Sequence, residues 1–212
     1  MRQNIAARGN AESERRILAA AENIFAADGL AGARTDAIAA AAHVNKALLY
    51  YYFGSKERLH RAVLEHLLRQ ALERMENAAA HGGGPGERLL AFTEAYFDFM
   101  AAHPNYPRLI QRAWMQSGGL FDWMVKTYFR PLLHSLCGTI EEGIQAREFR
   151  KVDPRQMALT ILSLTGSYFA TAPLMSRVFR RNVLQPDALV VRKRAMLDFL
   201  EHGLFTKTAR FQ

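Results

Sequence analysis

Residues 35–56 read TDAIAAAAHVNKALLYYYFGSK, and this stretch decides how the rest of the chain is organised. Its apolar residues recur at spacings of three and four on either side of His43-Val44, which is the pattern of two short helices joined by a tight turn. Gly54 follows the last apolar position and is predicted to end the second helix. Helices this short are not stable in isolation. The stretch therefore predicts a helix-turn-helix that other helices must support.

Polar residues mark the ends of these two helices. Thr35 is predicted to cap the first helix by accepting a backbone N–H, and Asn45 is predicted to cap the second. His43 lies in the turn and must tolerate a positive φ, a conformation in which His is penalised less than most residues. Ser55 is predicted to cap the helix that follows.

The second helix carries side chains that suit nucleic acid. In a helix-turn-helix it enters the major groove, while the first helix crosses the backbone. Lys46 and Lys56 can neutralise phosphates, and Tyr50 and Tyr51 offer hydroxyl groups to phosphates or base edges. Periodicity alone also permits an ordinary helical hairpin whose aromatic residues lie in a core, and it does not separate the two interpretations.

Further residues at fixed spacing surround this stretch. From Arg16 to Leu64 the sequence resembles the DNA-binding region of the tetracycline-repressor (TetR) family, at many positions rather than in one short motif. The resemblance implies a ligand-responsive transcriptional regulator that binds DNA as a homodimer. A repressor released from a palindromic operator by a small, largely apolar effector is the expected case. The matching positions are Arg16-Ile17-Leu18-Ala19-Ala20-Ala21, Ile24-Phe25-Ala26, Gly29, Thr35, Ile38-Ala39, Ala42-His43-Val44, Leu49-Tyr50-Tyr51-Tyr52-Phe53 and Ser55-Lys56-Glu57-Arg58-Leu59.

The sequence departs from the family pattern in the turn and at the start of the recognition helix. Where the family commonly has Ser-Lys-Gly-Thr, this chain has Asn45-Lys46-Ala47-Leu48, and His43 replaces the usual glycine of the turn. Leu48 can contact a thymine methyl group in place of the close backbone approach that a glycine permits. The operator sequence of a relative therefore cannot be transferred to this chain.

The resemblance gives a predicted set of DNA contacts. Residues near the start of the second helix are expected to approach base edges or the adjacent sugar-phosphate, and residues that flank it are expected to fix the register on phosphates. The first group is Lys46, Ala47, Leu48 and Tyr50, the second is Arg34, Thr35, Tyr51 and Lys56, and Asn45 completes the set.

The predicted fold class is all-α, because the later segments have helical periodicity and none alternates as a strand does. A mobile arm is expected at residues 1–10, a three-helix DNA-binding domain at 11–60, and a larger helical ligand-binding and dimerisation domain at 61–212. The glycine-rich run at 81–86 is predicted to be a loop inside the second domain. The predicted helices outside the helix-turn-helix are Glu12–Ala27, Ser55–Ala80, Glu87–Ala102, Tyr106–Gln116, Phe121–Ala146 with a kink at Pro131, Asp153–Phe179 and Asp187–Leu204.

The resemblance also implies a small-molecule pocket in the second domain. Apolar walls with few polar groups are typical of such pockets. Arg112 and His134 are the polar candidates, and an inward-facing Arg112 would favour an anionic or carbonyl-bearing ligand. Each candidate also fits a plain core or surface role. The candidate set is Phe97, Met100, Arg112, Trp114, Met115, Trp123, Met124, Tyr128, His134, Tyr168 and Phe169.

The last two predicted helices present apolar residues at helical spacing. Two such helices from each of two subunits can form a four-helix bundle, which is the dimer contact of the family that the chain resembles. A palindromic site needs a two-fold pair of readers. The alternative is that the same residues fill the core of the monomer. The candidate interface residues are Met157, Ile161, Leu164, Leu189, Met196, Leu200 and Leu204.

Composition permits these functions without establishing them. The 212 residues are 50% apolar, enough for a core, and carry a formal net charge of +8. Residues 1–80 hold 11 Lys and Arg against 9 Asp and Glu, whereas residues 81–212 hold 17 against 11. The positive excess therefore lies mostly outside the predicted DNA-binding domain, and a charge run is usually a solvated face.

Other classes of protein agree less well with the sequence. Glu57-Arg58-Leu59-His60 matches the Glu-x-x-His of di-iron helical bundles, but such a site needs a second copy and further carboxylates, which the sequence lacks. It has no nucleophile elbow, phosphate-binding glycine loop or zinc-ligand spacing, so we expect no enzyme, cofactor or metal. A helical interaction module that has lost DNA binding remains an alternative, against which the retained Thr35, Lys46 and Tyr50 argue.

The sequence also favours a cytoplasmic protein without membrane contact. It has no run of about 18 uncharged apolar residues, and its N-terminus lacks the apolar core of a signal peptide. The single cysteine, Cys137, fits a reducing compartment and is predicted to be a small buried filler.

Overall fold

The structure is a computed structural model that describes residues 2–81, 83–115 and 118–206, with side chains described from residue 10 onward. This part of the chain folds into α-helices without β-strands, and the all-α prediction is confirmed. Phe149 and Phe205 form one isolated antiparallel bridge. The helices are α1 (Arg2–Gly32), α2 (Thr35–Ala41), α3 (Lys46–Phe53), α4 (Lys56–Ala80), α5 (Pro85–Ala102), α6 (Tyr106–Met115), α7 (Gly119–Met124), α8 (Arg130–Gln145), α9 (Pro154–Val178) and α10 (Pro186–Leu204), with a π-helical turn (Val125–Phe129) between α7 and α8.

The chain divides into two compact units. The first unit comprises Met1–Leu68 and Arg108–Leu120, and the second comprises Arg69–Pro107 and Phe121–Gln212. Residues 61–212 were predicted to form one domain, whereas residues 61–68 and most of α6 belong to the first unit. Helices α4, α6 and α7 each contain residues of both units.

A small apolar core holds the first unit together. Helix α1 packs on α2, and α2 packs on α3. Because α2 and α3 have only seven and eight residues, their stability comes from this packing rather than from helix propensity. The fully buried side chains of this core include Ile17, Ala21, Phe25, Ile38, Leu49, Leu59 and Leu64.

Helix α1 differs from its prediction at both ends. It begins at Arg2 rather than Glu12, so the residues predicted to form a mobile arm are helical. Residues 2–11 contain no proline and one glycine, which does not stop a helix. At Gly29 the backbone leaves the helix with a φ of 72° and a ψ of 176°. The predicted stop at Gly29 is therefore a kink, after which the helix continues to Gly32.

Helix α5 lies at the centre of the second unit, as its apolar sequence predicted. Helices α8, α9 and α10 each pack against it. Leu89, Phe97 and Phe99 of α5 are almost completely buried. Phe97 contacts Phe169 of α9 with their ring centroids 5.0 Å apart. The core of this unit is therefore built from α5 outward.

The predicted helix at Phe121–Ala146 is irregular in the middle. It consists of α7, the π-helical turn and α8 in direct succession. Pro131 lies in the first turn of α8. Because proline lacks an N–H and clashes with the carbonyl group four residues earlier, the hydrogen-bond pattern changes just before it. The predicted disturbance at Pro131 therefore takes the form of a π-helical turn.

Helix α9 begins as predicted and is unusually apolar. The Asp153 carboxylate caps it by accepting the N–H groups of Arg155 and Gln156 at 2.9 and 3.1 Å. By length and composition α9 is apolar enough to cross a membrane, contrary to the expectation that the chain has no such run. A core helix passes the same test, and Ile161 and Phe169 of α9 are buried in the second unit.

Candidate nucleic-acid interface

The turn between α2 and α3 has the geometry predicted for it. His43 adopts a φ of 54°, and the N–H of the next residue, Val44, donates to the carbonyl of Ala39 at 3.0 Å. Asn45 caps α3, because its side-chain oxygen accepts the N–H of Leu48 at 2.7 Å. Both predictions are confirmed. The cap prediction for Thr35 is wrong, because Arg34 holds the cap position of α2, without a side-chain hydrogen bond, and Thr35 is already helical.

One side of helix α3 is buried in the core of the first unit, and the other side is exposed. Leu49 is its fully buried residue. Tyr50 and Tyr51 are 41% and 77% exposed, although both are large aromatic residues, and Ala47 is exposed as well. A folded unit that leaves two tyrosines uncovered on an eight-residue helix presents a surface suited to a partner.

Lys46 begins α3 and forms an ion pair across the turn. Its Nζ lies 2.9 Å from a carboxylate oxygen of Asp36 in α2. The hydrogen bond between them raises the pKa of Lys46 and lowers the pKa of Asp36. Both side chains are exposed, so the pair adds little stability. Lys46 can therefore exchange Asp36 for a DNA phosphate at small cost.

Lys56, the first residue of α4, is half-buried and has a structural role. Its Nζ donates to the carbonyl oxygens of Ala33 at 3.1 Å and Ala31 at 3.4 Å. These bonds join the start of α4 to the last turn of α1, at Ala31, and to Ala33 in the segment that links α1 to α2. An ammonium group has three donors, so one remains for a phosphate. The predicted phosphate contact at Lys56 is thus compatible with its structural role. Arg34, which follows Ala33 in the sequence, is exposed.

His60 lies in the core of the first unit rather than in a metal site. It is 4% exposed and its ring meets Phe25 edge-on, with the centroids 4.9 Å apart. Burial lowers the pKa of His60, and its Nδ1 has no hydrogen-bond partner among the described residues. Glu57 is exposed. The described part of the chain contains no group of three His, Cys, Asp or Glu residues that could hold a metal ion.

Arg112, predicted to line a ligand pocket, lies instead in the first unit. Its guanidinium donates to the carbonyl oxygen of Ala27 at 3.0 Å. A Cβ atom at Gly29 would lie 2.5 Å from Arg112 Nη1. The arginine therefore covers the kink of α1, a contact that no local sequence signal indicates because the two segments are more than 80 residues apart.

The other predicted pocket residues are distributed over core and surface. In the second unit, the aromatic rings of Phe97, Tyr168 and Phe169 pack together, and Trp123 meets Tyr128 edge-on. Met100 and Met124 are buried, Trp123 and Tyr128 are half-buried, and His134 is exposed. In the first unit, Trp114 and Met115 are 53% and 81% exposed.

A cavity in the second unit has a different lining. It lies between the C-terminal half of α4, the start of α5 and α8. None of the eleven predicted residues lines it. Its apolar lining is Leu72 and Ala79 of α4, Leu89 and Phe92 of α5, and Leu132 and Leu136 of α8. These pairs are spaced three, four or seven apart, so helical periodicity places each pair on one face without revealing that the faces meet.

Four of the seven predicted interface residues lie in the core of the second unit. Ile161, Met196, Leu200 and Leu204 are at most 3% exposed within one chain, so they are not available to a second copy. Met157, Leu164 and Leu189 are half-buried. The exposed large apolar residues of α9 and α10 are instead Leu159, Leu174, Val178, Val190, Val191 and Phe199.

Comparison with known proteins places these features in a family. The family model described as "Bacterial regulatory proteins, tetR family" matches residues 17–63, and the one described as "Tetracyclin repressor-like, C-terminal domain" matches residues 85–200. The first match contains the helix-turn-helix, and the second spans more than half of the chain.

Individual proteins give the same picture. The chain is similar to the HTH-type transcriptional repressor SCO4008 of Streptomyces coelicolor (36% identity over 114 residues, 54% of this chain and 56% of that protein). It is also similar to the HTH-type transcriptional repressor NicS of Pseudomonas putida (31% over 94 residues, 44% of each). The chain thus spans about half the length of these two curated relatives.

A solved structure extends the similarity to most of the fold. AibR in complex with isovaleryl coenzyme A and operator DNA superposes with a TM-score of 0.73 at 19% identity, covering 88% of this chain and 97% of that one. At this identity the likeness concerns the fold. The family models and the geometry of the turn together show that the chain belongs to the TetR family of bacterial regulatory proteins.

Proposed function

We propose that this protein is a homodimeric, ligand-responsive transcriptional regulator that represses by binding a palindromic operator. The observation that carries the proposal is the presentation of α3. Leu49 anchors this helix in the core, while Ala47, Tyr50 and Tyr51 are left exposed on its outer side. The relatives SCO4008 and NicS are themselves transcriptional repressors. A DNA-binding regulator of a bacterial chromosome acts in the cytoplasm.

The residues proposed to contact DNA divide into two roles. Lys46, Ala47, Leu48 and Tyr50 read base edges or the sugars beside them, because they occupy the first turns of the helix that enters the major groove. Arg34, Thr35, Tyr51 and Lys56 hold phosphates and so fix the register. Asn45 acts indirectly, since its side chain is committed to the N–H of Leu48.

The dimer forms through the exposed faces of α9 and α10. Leu159, Leu174 and Val178 lie on one side of α9, and between them are the small residues Ser163, Gly166 and Ala170, which allow a second helix to approach closely. Val191 and Phe199 of α10 extend this apolar surface. Four such helices, two from each copy, make a bundle whose two-fold axis matches that of a palindrome.

The effector binds in the second unit and shifts the equilibrium away from the DNA-binding form. AibR has been solved with operator DNA and isovaleryl coenzyme A. In this chain α4 connects the two units without a break. The effector must bind the form that cannot bind DNA more tightly than the form that can. The free energy by which it shifts the equilibrium between the two forms equals this difference in binding free energy.

Selection of bound duplexes from a random DNA pool, followed by sequencing, tests the proposal. The selection is made at about 150 mM salt, where nonspecific phosphate binding is weak. We expect a palindromic motif whose half-sites lie about one helical turn apart or a multiple of it.

The protein is first unfolded, stripped of bound small molecules and refolded, so that a retained effector does not hold it off DNA. Folding is confirmed by circular dichroism, and the oligomeric state by light scattering. A folded dimer that enriches no motif after stripping would contradict the proposed function.

A further inference from the structure

The surface formed by α2 and α3 carries one carboxylate. Within residues 33–56 the acidic residue is Asp36, and the lysines and arginines are Arg34, Lys46 and Lys56. Asp36 lies in the first turn of α2, and its side chain is 62% exposed. A carboxylate on a surface that meets DNA is repelled by the phosphates. Asp36 therefore opposes DNA binding unless it acts on a neighbouring residue.

The neighbour that Asp36 holds is Lys46, the first residue of α3. Its Nζ lies 2.9 Å from Oδ1 of Asp36, so the pair spans the turn between the two helices. Ile38 of α2 and Leu49 of α3 are completely buried, which fixes the helices that carry the pair. The hydrogen bond from Lys46 lowers the pKa of Asp36, so the carboxylate is ionised at neutral pH. The ammonium group of Lys46 is therefore restrained at the start of α3.

Asp36 has no favourable contact of its own to offer DNA. The first helix of a helix-turn-helix crosses the DNA backbone, so in this binding mode the start of α2 faces phosphates. An ionised carboxylate accepts hydrogen bonds and donates none, and the same holds for a phosphate. Any favourable effect of Asp36 must therefore act through Lys46, whose side chain is 47% exposed.

The restraint changes what Lys46 gains from each kind of DNA. When Lys46 binds a phosphate, it exchanges one anion for another, so the contact adds little affinity. When it reaches a base edge, it keeps Asp36, because an ammonium has three donors and two remain. The O6 and N7 atoms of guanine are the acceptors that lysine addresses in the major groove. A lysine that is already held also loses less conformational entropy on binding.

We propose that Asp36 is a positioning residue for DNA recognition, which holds the ammonium group of Lys46 where its two remaining donors reach a guanine. This inference rests on the proposed function, in which α3 enters the major groove of an operator. By occupying Lys46, Asp36 also lowers the affinity for phosphates of any sequence. It thus raises the preference for the operator while it lowers the affinity for DNA in general.

Asp36→Asn tests this role, because asparagine keeps the shape of the side chain and removes its charge. Fluorescence anisotropy at several salt concentrations gives the affinities for the selected duplex and for a scrambled one. Binding to the scrambled duplex is expected to tighten about fivefold, with a slope of log affinity against log salt steeper by about one unit, because Lys46 now gains a phosphate. Binding to the selected duplex should change little, since it also loses the positioned contact. The preference for the selected duplex therefore falls about fivefold, the lower end of what one base contact provides.

An unchanged preference in Asp36→Asn would overturn the proposal. The carboxylate would then serve only the helix dipole of α2, a role that lowers the stability to urea without changing the preference. Glu57→Gln is the control, since Glu57 is an exposed carboxylate in the first turn of α4. It removes the same charge and should leave the preference unchanged. An equal fall in preference in Glu57→Gln would assign the effect to net charge and contradict the role of Asp36.

A double-mutant cycle with Lys46→Met tests whether Asp36 acts through Lys46. In the Lys46→Met protein, Asp36→Asn should tighten both duplexes equally, because it removes only the general repulsion between the carboxylate and the phosphates. A fall in preference as large as in the wild-type background would contradict action through Lys46.

Repeated selection from random DNA identifies the base. Asp36→Asn and Lys46→Met are expected to relax the same position of the motif, one that is a guanine for the wild type. Relaxation of different positions would mean that Asp36 contacts DNA itself, which the proposal excludes.

The ion pair is also tested without DNA. The pKa of Asp36, measured from its carboxyl carbon resonance by NMR, should rise in Lys46→Met. An unchanged pKa would show that the pair is absent in solution and would overturn the proposal. A clear operator together with an unchanged preference in Asp36→Asn overturns the positioning role alone. A stripped, folded dimer that enriches no motif overturns the proposed function, and the positioning role with it.

Discussion

Helices α3 and α9 differ in how clearly their sequences show which face is buried and which is exposed. Helix α3 buries Leu49 and exposes most of its remaining side chains, so its inner and outer sides are distinct. Helix α9 buries Ile161 and Phe169 and yet exposes Leu159 and Leu174. A helix with one apolar stripe reveals its outer face, whereas a helix that is apolar on two faces does not reveal which face meets the core.

The largest effect is expected from a charge placed on the exposed apolar face of α9 and α10. Phe199 is 60% exposed, and its neighbour Leu200 is 3% exposed. Phe199→Glu places two carboxylates near the two-fold axis of the proposed dimer, so dissociation by light scattering and at least a hundredfold loss of operator affinity are expected. Thr127→Glu, which adds the same charge at an exposed site on the π-helical turn, is the control. A Phe199→Glu protein that stays dimeric would refute this interface.

The next largest effect is expected from truncating the buried residue of α3. Leu49→Ala should lower the free energy of unfolding by about 2–5 kcal/mol, because it removes a fully buried side chain from a small core. Urea denaturation measures the change. The control is Leu48→Ala, since Leu48 is half-buried. It should alter the selected DNA motif more than the stability. Equal losses of stability in the two variants would show that α3 lacks the two distinct sides described above.

A smaller effect is expected at the kink of α1. Gly29→Ala forces a side chain into a φ of 72° and toward the guanidinium of Arg112, so a loss of about 1–3 kcal/mol is expected. Gly32→Ala is the control, because Gly32 is helical and has no positive φ. Its stability should stay level or rise slightly. Chemical denaturation of both variants measures the difference, and a stable Gly29→Ala protein would mean that the kink is not required.

The dependence of stability on pH tests the core of the first unit. Burial holds the pKa of His60 below its ordinary value of 6.5. The unfolded chain therefore binds a proton more readily, so stability is complete above about pH 6.5 and falls as the pH drops below it. Urea midpoints at pH 8, 7, 6 and 5.5 should fall in the wild type and fall less in His60→Leu. His134→Leu, at an exposed histidine, should follow the wild type. A His60→Leu profile identical to the wild type would contradict this origin.

The smallest effect separates two lysines beside α3. Lys46→Ala should reduce the slope of log affinity against log salt by about one unit and leave stability unchanged, because its partner Asp36 is exposed. Lys56→Ala should reduce the slope and also cost about 1–2 kcal/mol of stability, since its Nζ holds two backbone carbonyls. Fluorescence anisotropy at several salt concentrations and urea denaturation give both quantities. Unchanged stability in Lys56→Ala would assign it to DNA alone.

Features that depend on neighbouring residues in the sequence were predicted well. The positive φ at His43 and the cap at Asn45 follow from short-range chemistry, and the structure has both. The helix-cap prediction was wrong at Thr35, because the extended residue that precedes α2 is Arg34 and Thr35 is already helical. Helix existence and most helix ends in the second half were also predictable, because Asp153, Pro154 and the glycine-rich loop are local signals.

Contacts between distant segments were not predictable in this way. Arg112 pairs with a carbonyl in α1, and Arg88 pairs with Glu142 more than 50 residues away. The predicted pocket and interface residues were chosen for type and spacing, which define a helix face but not its neighbour. Ile161 and Leu200, predicted to lie in the dimer interface, therefore lie in the core. The residues that line the cavity belong to ordinary apolar helix faces, so their meeting could not be predicted.

In the proposed dimer, two copies of α3 read the two halves of one palindrome. The most direct measurement compares the affinity of the protein for the selected duplex with its affinity for the same duplex after one half-site is scrambled. Fluorescence anisotropy at about 150 mM salt is suitable, since sequence-independent binding is weak there. Scrambling one half-site is expected to lower the affinity at least a hundredfold, because several base pairs at about 1–3 kcal/mol each are lost together. Equal affinity for the two duplexes would contradict it.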